Sequence, residues 1–273
     1  MGKFDGILFC TDLDGTIYKN DKTISKRNKD AIEYFKSEGG RFTFITGRLP
    51  YYTGYAYNSI NPNAPFGCIN GGGVYDGESK RYIWTQELSH EALELVKHID
   101  ESFSEVGVQI CCFDKTYFAV ENSTTIRFRE ITGLPALFCD YRTFTEPIAK
   151  IIFCTDDGEK MSAIQKALTG HEMAYMFDFV RSERTLYEIV PKGMHKGVSL
   201  KKLAEHLNID IKRTIAIGDY DNDVEMLRAA GCGIAVANAS ESAMKAARFV
   251  TVSNEDDAIA AVIQSLEMGE YGI

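Results

Sequence analysis

The sequence predicts an α/β protein: a doubly wound parallel sheet, Rossmann-like in outline, split by an inserted α+β domain. Short apolar runs alternate with helix-period segments at both ends of the chain, which calls for a parallel sheet covered on both faces. The middle of the chain instead repeats a strand-helix-strand-strand order, the pattern of an antiparallel sheet with helices on one face. The length of 273 residues and the ordinary apolar content suffice for one large domain or two modest ones.

The elements follow in order. Residues 7–11 form an apolar run that reads as a buried strand, and it ends on Asp12-Leu13-Asp14-Gly15-Thr16. Residues 16–18 and 22–24 flank Asn20-Asp21 as the arms of a tight hairpin. Ser25 caps a helix that buries Ile32 and Phe35 and stops at Gly39. Residues 42–45 make a second buried strand leading to Thr46-Gly47-Arg48, and Pro50 suits the first turn of another helix. The middle reads as a strand at 82–85, a helix at 89–103 and a hairpin of 106–113 with 116–120. That order recurs as a strand at 149–155, a helix at 159–168 and a strand pair at 174–180 and 185–190. Alternation then resumes with helices at 197–207, 224–230, 240–247 and 255–266 and strands at 214–217, 234–236 and 249–252. The expected domains are therefore 1–82 with 190–273, and an insert at 83–189.

Composition narrows the function classes. A formal charge of -9 leaves no basic face to replace counterions, which excludes a nucleic-acid binder. No apolar stretch reaches the length of a membrane span, and the first residues lack the apolar core of a signal peptide, so the expected location is cytoplasmic. Seven cysteines without Cys-x-x-Cys spacing read as reduced packing residues, with Cys10, Cys111, Cys112 and Cys154 in strand-like runs. The five histidines are scattered without a zinc-ligand pattern. No coiled-coil repeat points to an oligomeric partner.

The chemistry gathers at strand ends. Asp12 and Asp14 on an extended segment turn to one side and repel each other, and a divalent cation is the usual remedy. A calcium loop of the EF-hand kind is excluded, because Ile17 and Thr23 stand where it needs Gly and Glu. Thr46-Gly47 offers a hydroxyl and backbone N–H groups to an anion. Lys196 lies where the chain returns from the insert and begins a helix. Gly218-Asp219-Tyr220-Asp221-Asn222-Asp223 is a second acidic strand tip. All four converge if the flanking segments build one sheet, whose C-terminal strand ends open into the ligand crevice.

In this order the four motifs resemble those of the haloacid dehalogenase-like (HAD) phosphatase superfamily, and its Cof-type sugar-phosphatase branch in particular. Asp12, Thr46, Lys196 and Asp219 each match one family motif; residues 218–223 match the Gly-Asp-x-x-Asn-Asp form, and Ile69-Asn70-Gly71-Gly72 resembles a landmark preceding the insert. The resemblance implies a cap of the second type, subclass B, in the insert, opening and closing as a lid. It implies Asp12 as a nucleophile forming an aspartyl-phosphate, and Asp14 as the acid that protonates the leaving alcohol and then activates water. It implies Mg²⁺ on Asp12, the Asp14 backbone carbonyl and Asp219, with Asp223 acting through water. Thr46, Gly47 and Lys196 would hold the phosphoryl oxygens, and Asn222 would contact substrate or phosphate. The implied partner is a small phosphorylated metabolite, a sugar phosphate in particular. Because Asp14 is present, dehalogenation is rejected. A phosphomutase or phosphotransferase using the same phosphoaspartate, or a non-catalytic sensor of a phosphometabolite, are the alternatives. Arg127, Arg129, Arg142 and Arg181, read as lying on exposed strands, are candidates for binding a second anionic group, and Arg48 for bracing its loop.

Overall fold

The computed structural model describes residues 2–273; Met1, the first residue of the expected core segment, lies outside them. The chain divides into two compact units, one comprising the segments up to Arg48, Thr53–Thr85 and His195–Ile273, the other Leu49–Tyr52 and Gln86–Met194.

The first unit is built on a five-stranded parallel sheet of order β13-β12-β11-β1-β2. Its strands are β1 (Leu8–Thr11), β2 (Arg41–Phe44), β11 (Thr214–Gly218), β12 (Cys232–Ala235) and β13 (Phe249–Val250). β1 lies between β11 and β2 with all four residues buried, so its side chains alternate between two covered faces. Leu8 and Cys10 pack with Leu200, Leu203, Met226, Leu227 and Ala243 of α6 (Lys196–His206), α7 (Val224–Ala229) and α8 (Glu241–Ala246). Phe9 faces the other way, its ring 5.9 Å from Phe35 of α1 (Lys26–Ser37) and 5.0 Å from Phe42. α9 (Ala258–Glu267) packs beside α1, and Ala260 N–H donates to Asn28 Oδ1 at 3.0 Å. α1 begins as expected, with Ser25 Oγ accepting from Asn28 N–H at 3.0 Å.

β2 continues through a parallel bridge, Ile45 with Gly67, into a three-stranded antiparallel sheet of β3 (Phe66–Cys68), β4 (Gly73–Asp76) and β5 (Arg81–Thr85). The strand expected at 82–85 belongs here. α2 (Gly54–Ile60) joins β2 to β3. The hairpin expected around Asn20-Asp21 is corrected: Leu13–Ile17 is a helical turn broken by extended or left-handed angles at Asp14 and Gly15. Beyond it the tight turn at Asn20-Asp21 is present, with Lys22 N–H on the Lys19 carbonyl and Lys19 N–H on the Thr23 carbonyl, both at 2.9 Å, but no strand ladder flanks it.

The second unit holds a five-stranded antiparallel sheet, β7-β6-β8-β10-β9, from β6 (Gly107–Cys111), β7 (Thr116–Val120), β8 (Lys150–Cys154), β9 (Phe177–Glu183) and β10 (Leu186–Pro191). On one face Val108, Ile110, Ile151, Phe153 and Ile189 pack with residues of α3 (Ala92–Ser102) and α5 (Gly158–Gly170). The period of two puts Gln109, Cys111, Lys150 and Glu188 on the opposite face, where all four are also buried. Lys150 Nζ donates to Glu188 Oε2 at 2.9 Å there, and Ser182 Oγ donates to Glu188 Oε1 at 2.6 Å.

One helix was not expected. α4 (Ser123–Thr132) starts on a capping box between Asn122 and Thr125 and stops at Gly133 in the left-handed region. Arg127 and Arg129 are thus on a helix and Arg142 lies in the short helical turn Tyr141–Thr143, corrections to the strand reading. Arg127 pairs with Asp156 at 3.1 Å, Arg129 with Glu121 at 2.9 Å and Arg142 with Asp100 at 3.3 Å; Arg181, on β9, donates to the Arg184 carbonyl at 3.2 Å. All seven cysteines are free, and six are buried. Among the described residues no helix is long and apolar enough to cross a membrane.

Candidate active site

Parallel register brings the chemical groups to one edge of the first unit. Thr11 pairs with Ile217 of β11 and with Phe44 of β2, so the residues that follow each strand emerge side by side. Asp12 leaves β1 still hydrogen-bonded to β11, its N–H donating to the Ile217 carbonyl at 2.9 Å. Thr46 and Gly47 follow β2, Asp219 follows β11, and Lys196 is the first residue of α6.

Lys196 Nζ donates to Asp12 Oδ1 at 2.5 Å and to Asp223 Oδ1 at 2.6 Å. All three side chains are buried. Asp223 Oδ2 accepts from the N–H groups of Asp219 and Tyr220 at 3.0 and 3.1 Å, which folds the acidic strand tip into a closed turn. Thr16 Oγ1 donates to Asp219 Oδ1 at 2.9 Å. Carboxylate oxygens of Asp12, Asp219 and Asp223 all lie within 4.8 Å of one another.

Three carboxylates facing one ammonium leave an excess of negative charge, and the protonation equilibria register it. Burial pushes Asp12 well above the usual carboxylate range; Lys196 opposes the shift, while Asp223 and Asp219 add to it. Burial and the Asp223 charge raise Asp219 to about 6, against the Thr16 hydroxyl and Lys196. For Lys196 burial favours the neutral amine, but Asp12 and Asp223 outweigh it and hold the ammonium charged.

The Asp14 carboxylate stands apart from the three-carboxylate cluster. Arg48 Nη2 donates to its Oδ1 and Oδ2 at 3.0 and 2.7 Å, and Lys22 Nζ to Oδ1 at 2.9 Å. Burial works against its charged form, yet these two cations hold its carboxyl below the usual range.

Two glycines are dictated by close approach. Gly15 has φ +80°, and a Cβ there would stand 2.4 Å from Asp219 Oδ2. A Cβ at Gly47 would stand 2.8 Å from Asn70 Oδ1. Asn70 sits in a turn where both it and Ile69 have positive φ, and its Oδ1 also accepts from Asn222 Nδ2 at 3.2 Å. Asn70 thereby joins the Thr46-Gly47 loop to the acidic tip. Its role was missed in the sequence, where residues 69–72 are a landmark without an assigned task. Likewise missed were the direct bond from Lys196 to Asp223 and the partners of Asp14.

The donor set suits a hard divalent cation: it offers oxygen ligands only, carries uncompensated negative charge and lies at a strand-end crevice. The residues present therefore fit Mg²⁺.

Comparison with known proteins agrees with this architecture. Residues 9–263 match the family model for haloacid dehalogenase-like hydrolases. The 5-amino-6-(5-phospho-D-ribitylamino)uracil phosphatase YitU of Bacillus subtilis is 29% identical over 259 residues, covering 93% of this chain and 94% of that protein. YwtE of the same organism, named for the same activity, is 26% identical with 95% and 98% covered. A haloacid dehalogenase-like hydrolase from Bacteroides thetaiotaomicron superposes with a TM-score of 0.82 at 25% identity, covering 95% of this chain and 99% of that one. The subclass IIB sugar phosphatase BT4131 shares the fold at a TM-score of 0.82 and 18% identity, with 95% and 98% covered. With a parallel core bearing these groups, an antiparallel cap sheet and relatives named as phosphatases, the chain belongs to the haloacid dehalogenase-like hydrolase family and is a phosphatase.

Proposed function

We propose that the protein is a Mg²⁺-dependent phosphatase that hydrolyses a small phosphorylated metabolite, a sugar or sugar-alcohol phosphate, through an aspartyl-phosphate on Asp12. The observation that carries this reading is the pairing of Lys196 with Asp12 and Asp223 at the strand ends. A phosphate monoester repels an anionic nucleophile, so a buried fixed cation touching the nucleophile is what attack requires.

Asp12 Oδ attacks phosphorus and the bond to the leaving oxygen breaks, with Asp14 supplying the proton to that oxygen. Asp14 then takes a proton from a water that attacks phosphorus, and the bond to Asp12 breaks to release phosphate. Thr46, Gly47 and Lys196 hold the phosphoryl oxygens, and Asn222, tied to Asn70, contacts phosphate or substrate. Asp12, Asp219 and the Asp14 backbone carbonyl would hold Mg²⁺, with Asp223 behind them through water. Bound there, the ion would neutralise phosphoryl charge. The insert at 83–189 acts as a cap of type C2B that excludes water and sets specificity, and 1–82 with 190–273 form the catalytic core. The names of YitU and YwtE, which describe a phosphorylated ribityl chain as substrate, support the choice of a polyol-like ester.

A panel of sugar phosphates, sugar-alcohol phosphates, nucleotides and phosphorylated cofactors tests the reading by sustained phosphate release. Preference for sugar-type esters is expected. A burst that stops after one turnover would instead favour transfer of the phosphoryl group to a second substrate.

A further inference from the structure

Arg48 spans two segments of the site. Its backbone is fixed in the loop after β2, where its N–H donates to Thr46 Oγ1 at 3.2 Å and its carbonyl accepts from Ile69 N–H at 3.1 Å. Its side chain crosses to the loop after β1, where a single guanidinium nitrogen reaches both oxygens of Asp14. The guanidinium lies 6.0 Å from the ring of Tyr18, which is itself stacked on Tyr55 at 5.9 Å, so an aromatic pair supports it from one side. Lys22, with a left-handed backbone at φ +65°, completes the clamp from the solvent side.

This clamp divides four carboxylates into two sets. Asp12, Asp219 and Asp223 share one cluster, and Asp14, although next but one to Asp12, is excluded from it. A carboxylate so close to a divalent-cation site is drawn to the ion, and one that joins the cluster leaves the position in which Arg48 now holds it. Arg48 and Lys22 give Asp14 a competing pair of cations.

We propose that Arg48, assisted by Lys22, is the positioning residue of Asp14: it holds that carboxylate out of the cation cluster and in place for proton exchange with the leaving group. The inference rests on the phosphatase reading above, and it gives the arginine of the Thr46-Gly47-Arg48 segment a task separate from binding phosphate.

The test compares two esters that differ only in their need for a proton. An alkyl phosphate has a strongly basic leaving oxygen, whereas 4-nitrophenyl phosphate departs without help. In Arg48→Met, single-turnover release of alcohol from the alkyl ester should slow by about 100-fold, the order of a lost general acid, with loss under about threefold in release of nitrophenol from the aryl ester. Steady-state kcat falls on both, because Asp14 also serves hydrolysis of the phosphoaspartate. Arg48→Lys should recover part of the loss. Lys22→Met, at an exposed position, should show the same selectivity on a smaller scale and decides the matter if Arg48→Met does not fold. Mg²⁺ titrated calorimetrically into Arg48→Met should bind as tightly as in wild type or more tightly, since Asp14 is then free to join the cluster. Equal single-turnover losses on both esters, a rise in KM alone, or weakened Mg²⁺ binding would overturn the inference while leaving the phosphatase reading intact. Wild-type turnover that survives Asp12→Asn would overturn both.

Discussion

Lys196 and Asp12 lie 184 positions apart in the sequence, yet the Lys196 ammonium rests 2.5 Å from the Asp12 carboxylate at the centre of the site. The same ammonium reaches Asp223, so one buried cation organises both acidic strand tips.

Replacing it should expose how much depends on that cation. In Lys196→Met, Asp12 and Asp223 lose their shared buried partner, which costs about 3–5 kcal/mol in urea unfolding without metal. Turnover should fall at least about 1000-fold, while calorimetric Mg²⁺ affinity holds or rises because negative charge has accumulated. Weaker Mg²⁺ binding would place Lys196 outside the electrostatics described.

The raised protonation of Asp219 makes metal-free stability depend on pH. Its carboxyl moves from 3.8 to about 6 on folding, so the folded state binds the proton more tightly than the unfolded state. Its contribution is complete below about pH 4 and is lost as pH rises through about 6; Asp12 acts in the same direction. The melting temperature in chelator should therefore decline over this interval, and Mg²⁺ should raise it more at pH 7.5 than at pH 4.5. Equal increments at both values would contradict the linkage.

Gly15 separates packing from chemistry. Alanine there meets both an unfavourable positive φ and the Asp219 carboxylate. Gly15→Ala should lose about 1–2 kcal/mol of stability and weaken Mg²⁺ binding as Asp219 is displaced. Unchanged binding would show that Asp219 yields without consequence.

Much of the architecture was legible because parallel sheets advertise themselves. Buried strands such as 8–11 and 214–218 read as short apolar runs, and each ends on residues that packing alone does not explain. Which strand tips meet was not legible in any one segment; it follows from register, which sets Thr11 opposite both Ile217 and Phe44. For the same reason the partnership of Asn70 with Gly47 and Asn222, and that of Arg48 with Asp14, could not be read from lone polar residues in loops. α4 was missed because Thr124, Thr125 and Ile126 are β-branched and weaken helical propensity. Its signal was local: Asn122 followed three residues later by Thr125, a reciprocal cap, with Gly133 as the stop. Asn20-Asp21 does form a tight turn, but residues 16–17 belong to the broken helical turn after Asp12, so the arms of the expected hairpin are not strands.

The second unit carries its own test. Lys150 and Glu188 are a buried pair on β8 and β10, so Lys150→Met alone should cost about 3–5 kcal/mol in chemical denaturation. The double change Lys150→Met with Glu188→Leu should recover most of it. A double variant as unstable as the single one would mean that the pair contributes more than mutual neutralisation.

The most direct measurement is mass spectrometry of the acid-quenched protein during turnover of a sugar phosphate with Mg²⁺, comparing wild type, Asp14→Asn and Asp12→Asn. The account predicts a phosphoryl group on Asp12 that accumulates in Asp14→Asn, where its hydrolysis is slowed, and neither adduct nor turnover in Asp12→Asn. Sustained phosphate release by Asp12→Asn, or an adduct on any other residue, would contradict it.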